Sequence, residues 1–159
     1  MGQARDIVTG VVYTKNAERS LIPAGVNGPL GDSLVVSGLL YRTPDQSRAP
    51  VGTFDLTAVT TSVTGDRERR QVFIELSFDR RFARRSWISS LKAAFKAPKQ
   101  AAEVSLSGVE DYPLGGGIPD RPIVFGIDSG TGPLIGAEGT VAISYEPSTA
   151  FFAYSFKLI

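Results

Sequence analysis

Apolar and polar residues alternate along most of the chain, with the two-residue period of a half-buried β-strand. The alternation is clearest in the stretch 71–78, where every second residue is a large apolar one. Short runs rich in glycine and proline interrupt the pattern and are typical of turns. The pattern predicts eight strands, at 6–14, 33–41, 51–63, 71–78, 103–109, 122–127, 137–145 and 150–158.

One segment has the period of a helix instead. Trp87, Leu91 and Phe95 are four residues apart, Ser86 can cap the start, and Pro98 follows the end. The spacing predicts a short amphipathic helix over 86–95. Such a helix either covers one end or the outside of the sheet, or closes as a lid over a pocket.

Eight short strands in one chain of 159 residues need either two packed sheets or one closed sheet. Closure removes exposed strand edges, and a barrel of about eight strands has room inside for side chains or for one small ligand. No internal repeat or composition change divides the chain. We therefore predict a single domain that spans residues 1–159.

The composition limits the chemistry. The chain is 42% hydrophobic and contains neither cysteine nor histidine, which removes zinc sites, haem ligation, thiol nucleophiles and Ser-His pairs. Any acid or base is therefore Asp, Glu, Tyr, Lys or a bound water. No secretory signal is visible near the first residues, and no apolar stretch approaches the roughly 18 residues of a membrane helix. These features predict a cytoplasmic protein without a membrane partner.

The charge is unevenly distributed although the net charge is only +1. Residues 66–99 contain ten basic and four acidic side chains. A basic band of this kind is typical of a solvated hairpin face, or of a surface that meets nucleic acid, an anionic substrate or an acidic carrier protein. The band lacks the interleaved aromatic side chains that stack on bases, which argues against nucleic acid.

Four stretches resemble, in order and spacing, the strands of allene oxide cyclase and dirigent barrels. They lie at 12–19, 31–41, 51–53 and 127–156, and the last contains a glycine-rich turn followed by an aromatic strand. The resemblance covers about Val11 to Leu158, with 82–100 as an insertion. It implies an all-β fold: an eight-stranded antiparallel β-barrel with one short inserted helix.

The resemblance also implies a function. Bacterial members of the superfamily include cyclases that close a ring in a linear polyketide, some by [4+2] cycloaddition. Such a reaction needs an apolar cavity that holds the reacting ends together, and it needs no cofactor, metal or nucleophile. Orientation alone can lower a barrier by about 7–11 kcal/mol. The alternatives are a dirigent-like or carrier barrel that binds a hydrophobic small molecule without forming bonds, and an epoxide-opening isomerase like allene oxide cyclase.

Allene oxide cyclases hold a water on the epoxide with an Asn and a Pro and use a Glu on the first strand. The Asn corresponds to Asn16, which the resemblance makes a candidate catalytic residue. The Pro corresponds to Pro23, and Thr14 stands at the position of the Glu. Pro23 and Thr14 are therefore candidate substrate-binding residues, or ordinary residues of a strand and its loop.

The alternation itself offers Glu75 as a candidate catalytic acid. Glu75 shares one face of its strand with Phe73, a candidate substrate-binding residue. If that face points into the barrel, burial raises the pKa of the carboxyl, as a general acid requires. If it points outward, Glu75 is solvated, and the more apolar opposite face forms the core.

Two tyrosines and the tryptophan complete the candidates. Tyr154, as a catalytic residue, and Tyr13, as a substrate-binding residue, offer neutral hydroxyl donors, although tyrosines in barrel strands also serve as packing residues. Trp87, on the predicted helix, is a candidate for contact with substrate under a closed lid. We expect the Glu18-Arg19 and Asp111-Tyr112 pairs to be solvated surface residues.

The apolar residues on both faces of the stretch 71–78 predict self-association through an outer sheet face. We expect a homo-dimer or homo-trimer.

Overall fold

Eight antiparallel strands follow one another around a closed barrel, in which β8 pairs with β1. The computed structural model describes residues 7–25, 28–45, 48–91, 101–114 and 121–159. The strands are β1 (Val8–Ile22), β2 (Ser33–Tyr41), β3 (Gly52–Thr64), β4 (Arg67–Phe78), β5 (Ala102–Pro113), β6 (Ile123–Thr131), β7 (Gly139–Glu146) and β8 (Phe151–Leu158). The predicted fold and all eight strands are confirmed, but β1, β4, β5 and β6 are longer than predicted.

The alternation on β4 decides which face is inside. Its even-numbered residues, from Glu68 to Phe78, are all buried, whereas Phe73 and Glu75 are exposed on the outer face. The suggestion that Glu75 faces the interior is therefore wrong. The opposite, more apolar face fills the barrel because burying its side chains removes more apolar surface from water.

A β-bulge in β1 changes which residues of that strand face inward. Thr14 lies on the inner face below the bulge, which falls between Asn16 and Glu18. Above it, Arg19 pairs with the buried Val36 of β2 and so shares the inner face. One extra residue in a strand exchanges the inner and outer faces for every residue that follows it in that strand. The bulge thus turns Arg19 toward the inner face, while its side chain remains exposed to solvent, as predicted.

One end of the barrel is closed by the segment after β4. It forms a short helix, α1 (Arg80–Arg85), and a 3-10 helix at Trp87–Ser90. Ser86 caps the 3-10 helix as predicted, since its Oγ accepts a hydrogen bond from the Ile88 backbone N–H at 3.3 Å. The predicted helix over 86–95 is otherwise wrong, because the backbone is extended at Leu91, and residues 92–100 lie outside the described part of the chain. Within the described ranges no helix is long and apolar enough to cross a membrane.

Aromatic packing holds this segment in place. The Trp87 ring lies 4.9 Å from that of Phe156, and Phe82 stacks on Phe78 at 5.6 Å between ring centroids. Trp87 rests directly on Gly10, where a Cβ atom would lie 2.2 Å from the indole ring. The segment therefore plugs the end of the barrel at which β4 finishes, which we call the closed end.

Candidate functional site

An apolar cavity occupies the other half of the barrel, at the end where β1 finishes and β2 begins. Its volume is about 50 Å³, and it opens to solvent at the mouth. Most of the wall is aliphatic or aromatic and comes from the inner faces of the strands. The apolar lining consists of Leu34, Val36, Phe54, Leu56, Ala58, Val72, Ile74, Ile123, Phe125, Ile143 and Phe152.

Glu110 and Tyr112 bring polar groups to this apolar wall. They are neighbours on the inner face of β5, each only 6% exposed. Burial raises the pKa of the Glu110 carboxyl from 4.5 to about 7, although a hydrogen bond from Tyr112 and the charge of Arg70 both lower it. Glu110 is therefore close to half protonated at neutral pH. Burial and the nearby Glu110 raise the pKa of Tyr112, so Tyr112 remains a neutral hydroxyl donor.

A buried ion pair lies on β4 opposite these two residues. Arg70 is the cross-strand partner of Glu110, and Glu68 is the partner of Tyr112. Nε of Arg70 donates a hydrogen bond to Oε1 of Glu68, which also accepts one from the Thr60 hydroxyl at 3.2 Å. The Arg70 guanidinium carbon lies 4.2 Å from the centre of the Tyr112 ring, a cation–π contact. These contacts fix the orientation of Tyr112 and keep a positive charge beside Glu110.

Arg19 adds a second positive charge at the mouth of the cavity. Its side chain lines the cavity while remaining exposed to solvent. The positive charges of Arg19 and Arg70 both lower the pKa of the Tyr112 hydroxyl, because they stabilise its ionised form. The polar side of the cavity thus combines the cation of Arg19, a neutral hydroxyl and a carboxyl of raised pKa, while Arg70 lies buried against the Tyr112 ring and does not line the cavity.

Tyr154 and Thr14 lie deeper in the barrel, on adjacent strands. Tyr154 lines the cavity, and burial raises the pKa of its hydroxyl. Thr14 is fully buried on the neighbouring strand, and its hydroxyl has no hydrogen-bond partner in the described part of the chain. Tyr154 is therefore a neutral hydroxyl within the site, and the structure places both of these predicted residues together.

The remaining predicted site residues lie elsewhere. Glu75 and Phe73 are on the outer face, Tyr13 is half-buried on the outer face of β1, and Pro23 is exposed beyond the end of β1. Trp87 packs at the closed end, which agrees with the alternative that this segment covers one end of the sheet and not with the alternative of a lid over the cavity mouth. Asn16 pairs with Gly38 through its backbone, and its side chain lies outside the described part of the chain.

Glu110, Tyr112, Arg70 and Arg19 were not among the predicted site residues. Tyr112 was expected at the surface, and its burial corrects that expectation. The missed signal was the alternation itself, which continues from Leu106 through Glu110 to Tyr112 on β5 and from Val72 back to Glu68 on β4. The opposite charges at facing positions of two paired strands were a further sign of an internal cluster.

The arrangement can hold an apolar molecule and hydrogen-bond to one of its oxygen atoms. A carboxyl with a pKa near 7 can donate or accept a proton at neutral pH, which is the property required of a general acid or base. The surrounding apolar wall excludes water and strengthens each hydrogen bond made inside it.

Solved structures of other proteins share this fold of eight antiparallel strands in a closed barrel. A pyocyanin demethylase superposes with a TM-score of 0.67 at 19% sequence identity, covering 96% of this chain and 100% of the other. A pterocarpan synthase dirigent protein superposes with a TM-score of 0.61 at 10% sequence identity, covering 96% of this chain and 86% of the other.

A third structure is a nonspecific heme-binding cyclase that catalyses [4+2] cycloaddition during neoabyssomicin biosynthesis. It gives a TM-score of 0.54 at 14% identity, covering 98% of this chain and 64% of the other. No protein-family model and no curated protein matches the sequence. At these identities the likeness shows the shared fold, and that fold occurs both in enzymes and in dirigent proteins.

Proposed function

We propose that this protein is a cyclase or isomerase that holds an apolar small molecule in the barrel cavity while Glu110 and Tyr112 hydrogen-bond to one oxygen of the substrate. The observation that carries the proposal is the position of these two buried polar side chains on the wall of an otherwise apolar cavity. The [4+2] cyclase among the structural neighbours supports ring closure as a reaction that this fold can perform.

The cavity contributes by orientation. A flexible linear substrate loses most of its conformers when it enters a narrow apolar space, and its reacting ends then meet at a high effective concentration. The aromatic residues Phe54, Phe125 and Phe152 make up a large part of the wall. They favour folded, unsaturated or ring-containing substrates over extended ones.

Glu110 contributes a proton or a strong hydrogen bond. In its protonated form it can donate to a carbonyl or epoxide oxygen, which draws electrons from the reacting carbons. Tyr112 and Arg70 hold the carboxyl in place from the same and the facing strand. An acid of this kind usually contributes about 10²–10⁴-fold to a rate.

The direct test uses lone linear substrates without any partner protein or oxidant. One probe is a trienone that carries a diene and an activated alkene, and the other is an epoxy alcohol. We expect the protein to accelerate ring closure of at least one probe. The Glu110→Gln variant should lose about 10²-fold of that acceleration, whereas Glu75→Gln, which removes a carboxylate from the outer face, should keep it.

A second candidate function is binding without bond formation, as the dirigent neighbour suggests. A dirigent-like barrel would leave the rate of ring closure unchanged and alter only the handedness of a product formed by an added oxidant. A carrier would alter neither. A wild-type rate equal to the uncatalysed rate for both probes would therefore contradict the enzyme proposal.

A further inference from the structure

Apolar side chains that are exposed to solvent surround the open mouth of the cavity. Within the described ranges, five large ones lie where strands end or begin at this end of the barrel, and each is 39–60% exposed. We call this group the mouth rim: Leu21 and Ile22 on β1, Leu30 before β2, Val63 on β3 and Leu114 after β5. Single exposed apolar residues are common on folded proteins, but a group of them around one opening is typical of a surface that binds an apolar partner.

The rim continues the apolar wall of the cavity beyond its mouth. Leu21 pairs with the buried Leu34, which lines the cavity, so both side chains lie on the inner face of the barrel. Val63 shares the inner face in the same way, because it pairs with the buried Glu68. β8 accompanies β1 only as far as Thr14, so the last part of β1 projects past this neighbour. An apolar molecule that enters the cavity therefore passes over the rim.

The exposed charges around the mouth are balanced in sign. On the segments 18–25, 28–33, 61–69, 111–114 and 121–122, three exposed cations face three exposed anions: Arg19, Arg69 and Arg121 against Glu18, Asp66 and Asp111. A balanced surface attracts neither a strongly acidic nor a strongly basic partner. The apolar side chains of the rim thus decide what docks here.

The size of the rim limits its partner further. Five side chains that are half exposed offer roughly 300–400 Å² of apolar surface, whereas each partner of a stable protein pair buries about 800 Å². A second copy of this chain docked mouth to mouth would also block the entrance to both cavities. A lipid surface, by contrast, needs only a few apolar side chains that enter it to a depth of about 5–10 Å.

We infer that the mouth rim docks on a lipid surface, so that the apolar substrate passes from the lipid into the cavity without entering water. This inference rests on the proposed function, because it names the source of the substrate for the same cavity. Direct transfer avoids the free-energy cost of exposing apolar surface to water. Such a contact lies on the membrane and needs no membrane-spanning stretch, so it replaces the expectation of a protein without a membrane partner, which rested on the lack of such a stretch.

Flotation with vesicles of phosphatidylcholine, which carry no net charge, measures docking. We expect the wild type to float with the vesicles at low and at high salt, because salt does not screen apolar contacts. Leu30→Ser and Leu114→Ser, which change residues outside the cavity lining, should each lower the partition into vesicles about threefold, and the double variant about tenfold. The double variant should also slow turnover of a probe dissolved in the vesicles about tenfold, while turnover of a water-soluble probe stays within about twofold.

The matched control is Ile135→Ser. Ile135 is 59% exposed and follows β6 at the closed end, so this variant removes an exposed apolar side chain from the opposite end of the barrel. An equal loss of docking in Ile135→Ser and Leu114→Ser would overturn the inference. Docking only to vesicles that contain anionic lipid, lost at high salt, would also overturn it, because it would point to the exposed arginines of α1 at the closed end.

Failure of this inference and failure of the proposed function give different results. A wild type that does not float would overturn the inference, yet acceleration of ring closure for a dissolved probe would leave the proposed function standing. Rim-dependent flotation without any ring closure would contradict only the proposed function. A wild-type dimer, seen by light scattering, that the double variant dissociates would assign the rim to a second copy of the chain and overturn the inference.

Discussion

Replacing Glu110 by Gln tests the buried carboxyl without any substrate. The folded protein holds the proton of Glu110 up to about pH 7, whereas the ordinary value for the group is 4.5. Between these two values the folded state binds more protons than the unfolded state, so the wild type loses stability as the pH rises. At about 1.36 kcal/mol for each pH unit, the loss approaches about 3 kcal/mol above pH 7.

Gln cannot ionise, so the variant lacks this loss. Urea unfolding of both proteins between about pH 4 and pH 9 gives the difference in their free energies of unfolding at each pH. We expect the difference to shift by about 3 kcal/mol in favour of the variant as the pH rises. Glu75→Gln provides the control for loss of a carboxylate on the outer face. A difference between wild type and Glu110→Gln that stays constant across this range would refute the burial of an ionisable Glu110.

Three further variants test other parts of the structure. Trp87→Ala should lower the free energy of unfolding by about 3 kcal/mol, because it removes the aromatic packing at the closed end. Turnover of a lone substrate should stay within about twofold of wild type. A selective loss of turnover would instead indicate that Trp87 acts as a lid. Gly108→Ala should lower the free energy of unfolding by about 1–3 kcal/mol and weaken ligand binding, because the new Cβ would lie 2.4 Å from the Phe125 ring in the cavity wall. Unchanged ligand binding, measured by calorimetry, would contradict that placement. Phe73→Ser should reduce self-association through the outer face, where Phe73 is 53% exposed. If light scattering shows that the wild type is already a monomer of 17.0 kDa, this prediction is wrong.

The strands were predictable because local alternation encodes them. The inner and outer faces of β4 were also predictable, since the more apolar face forms the core. The short helix was only partly predictable: Ser86 does cap a helical turn, but packing of Phe82 and Trp87 against the barrel end, rather than the spacing of Leu91 and Phe95, sets its position.

The polar part of the site was not predictable in the same way. Alternation of apolar residues predicts only the apolar part of an inner face, and Glu110, Tyr112 and Arg70 continue that face with polar side chains. Their burial depends on cross-strand partners that are about 40 residues away in the sequence. Arg19 was hidden for another reason, because a bulge arises from the pairing of two strands and leaves no local mark in either.

The proposed role of Glu110 is that of an acid inside the barrel cavity. The pH dependence of kcat/KM for ring closure of a probe that the protein turns over tests it most directly, because this quantity reports ionisation of the free enzyme. We predict a plateau below about pH 7 and a decline of about tenfold per pH unit above it, with that decline absent in the slower Glu110→Gln variant. A wild-type profile that is flat through pH 7, or one that Glu110→Gln reproduces at the same rate, would contradict the claim.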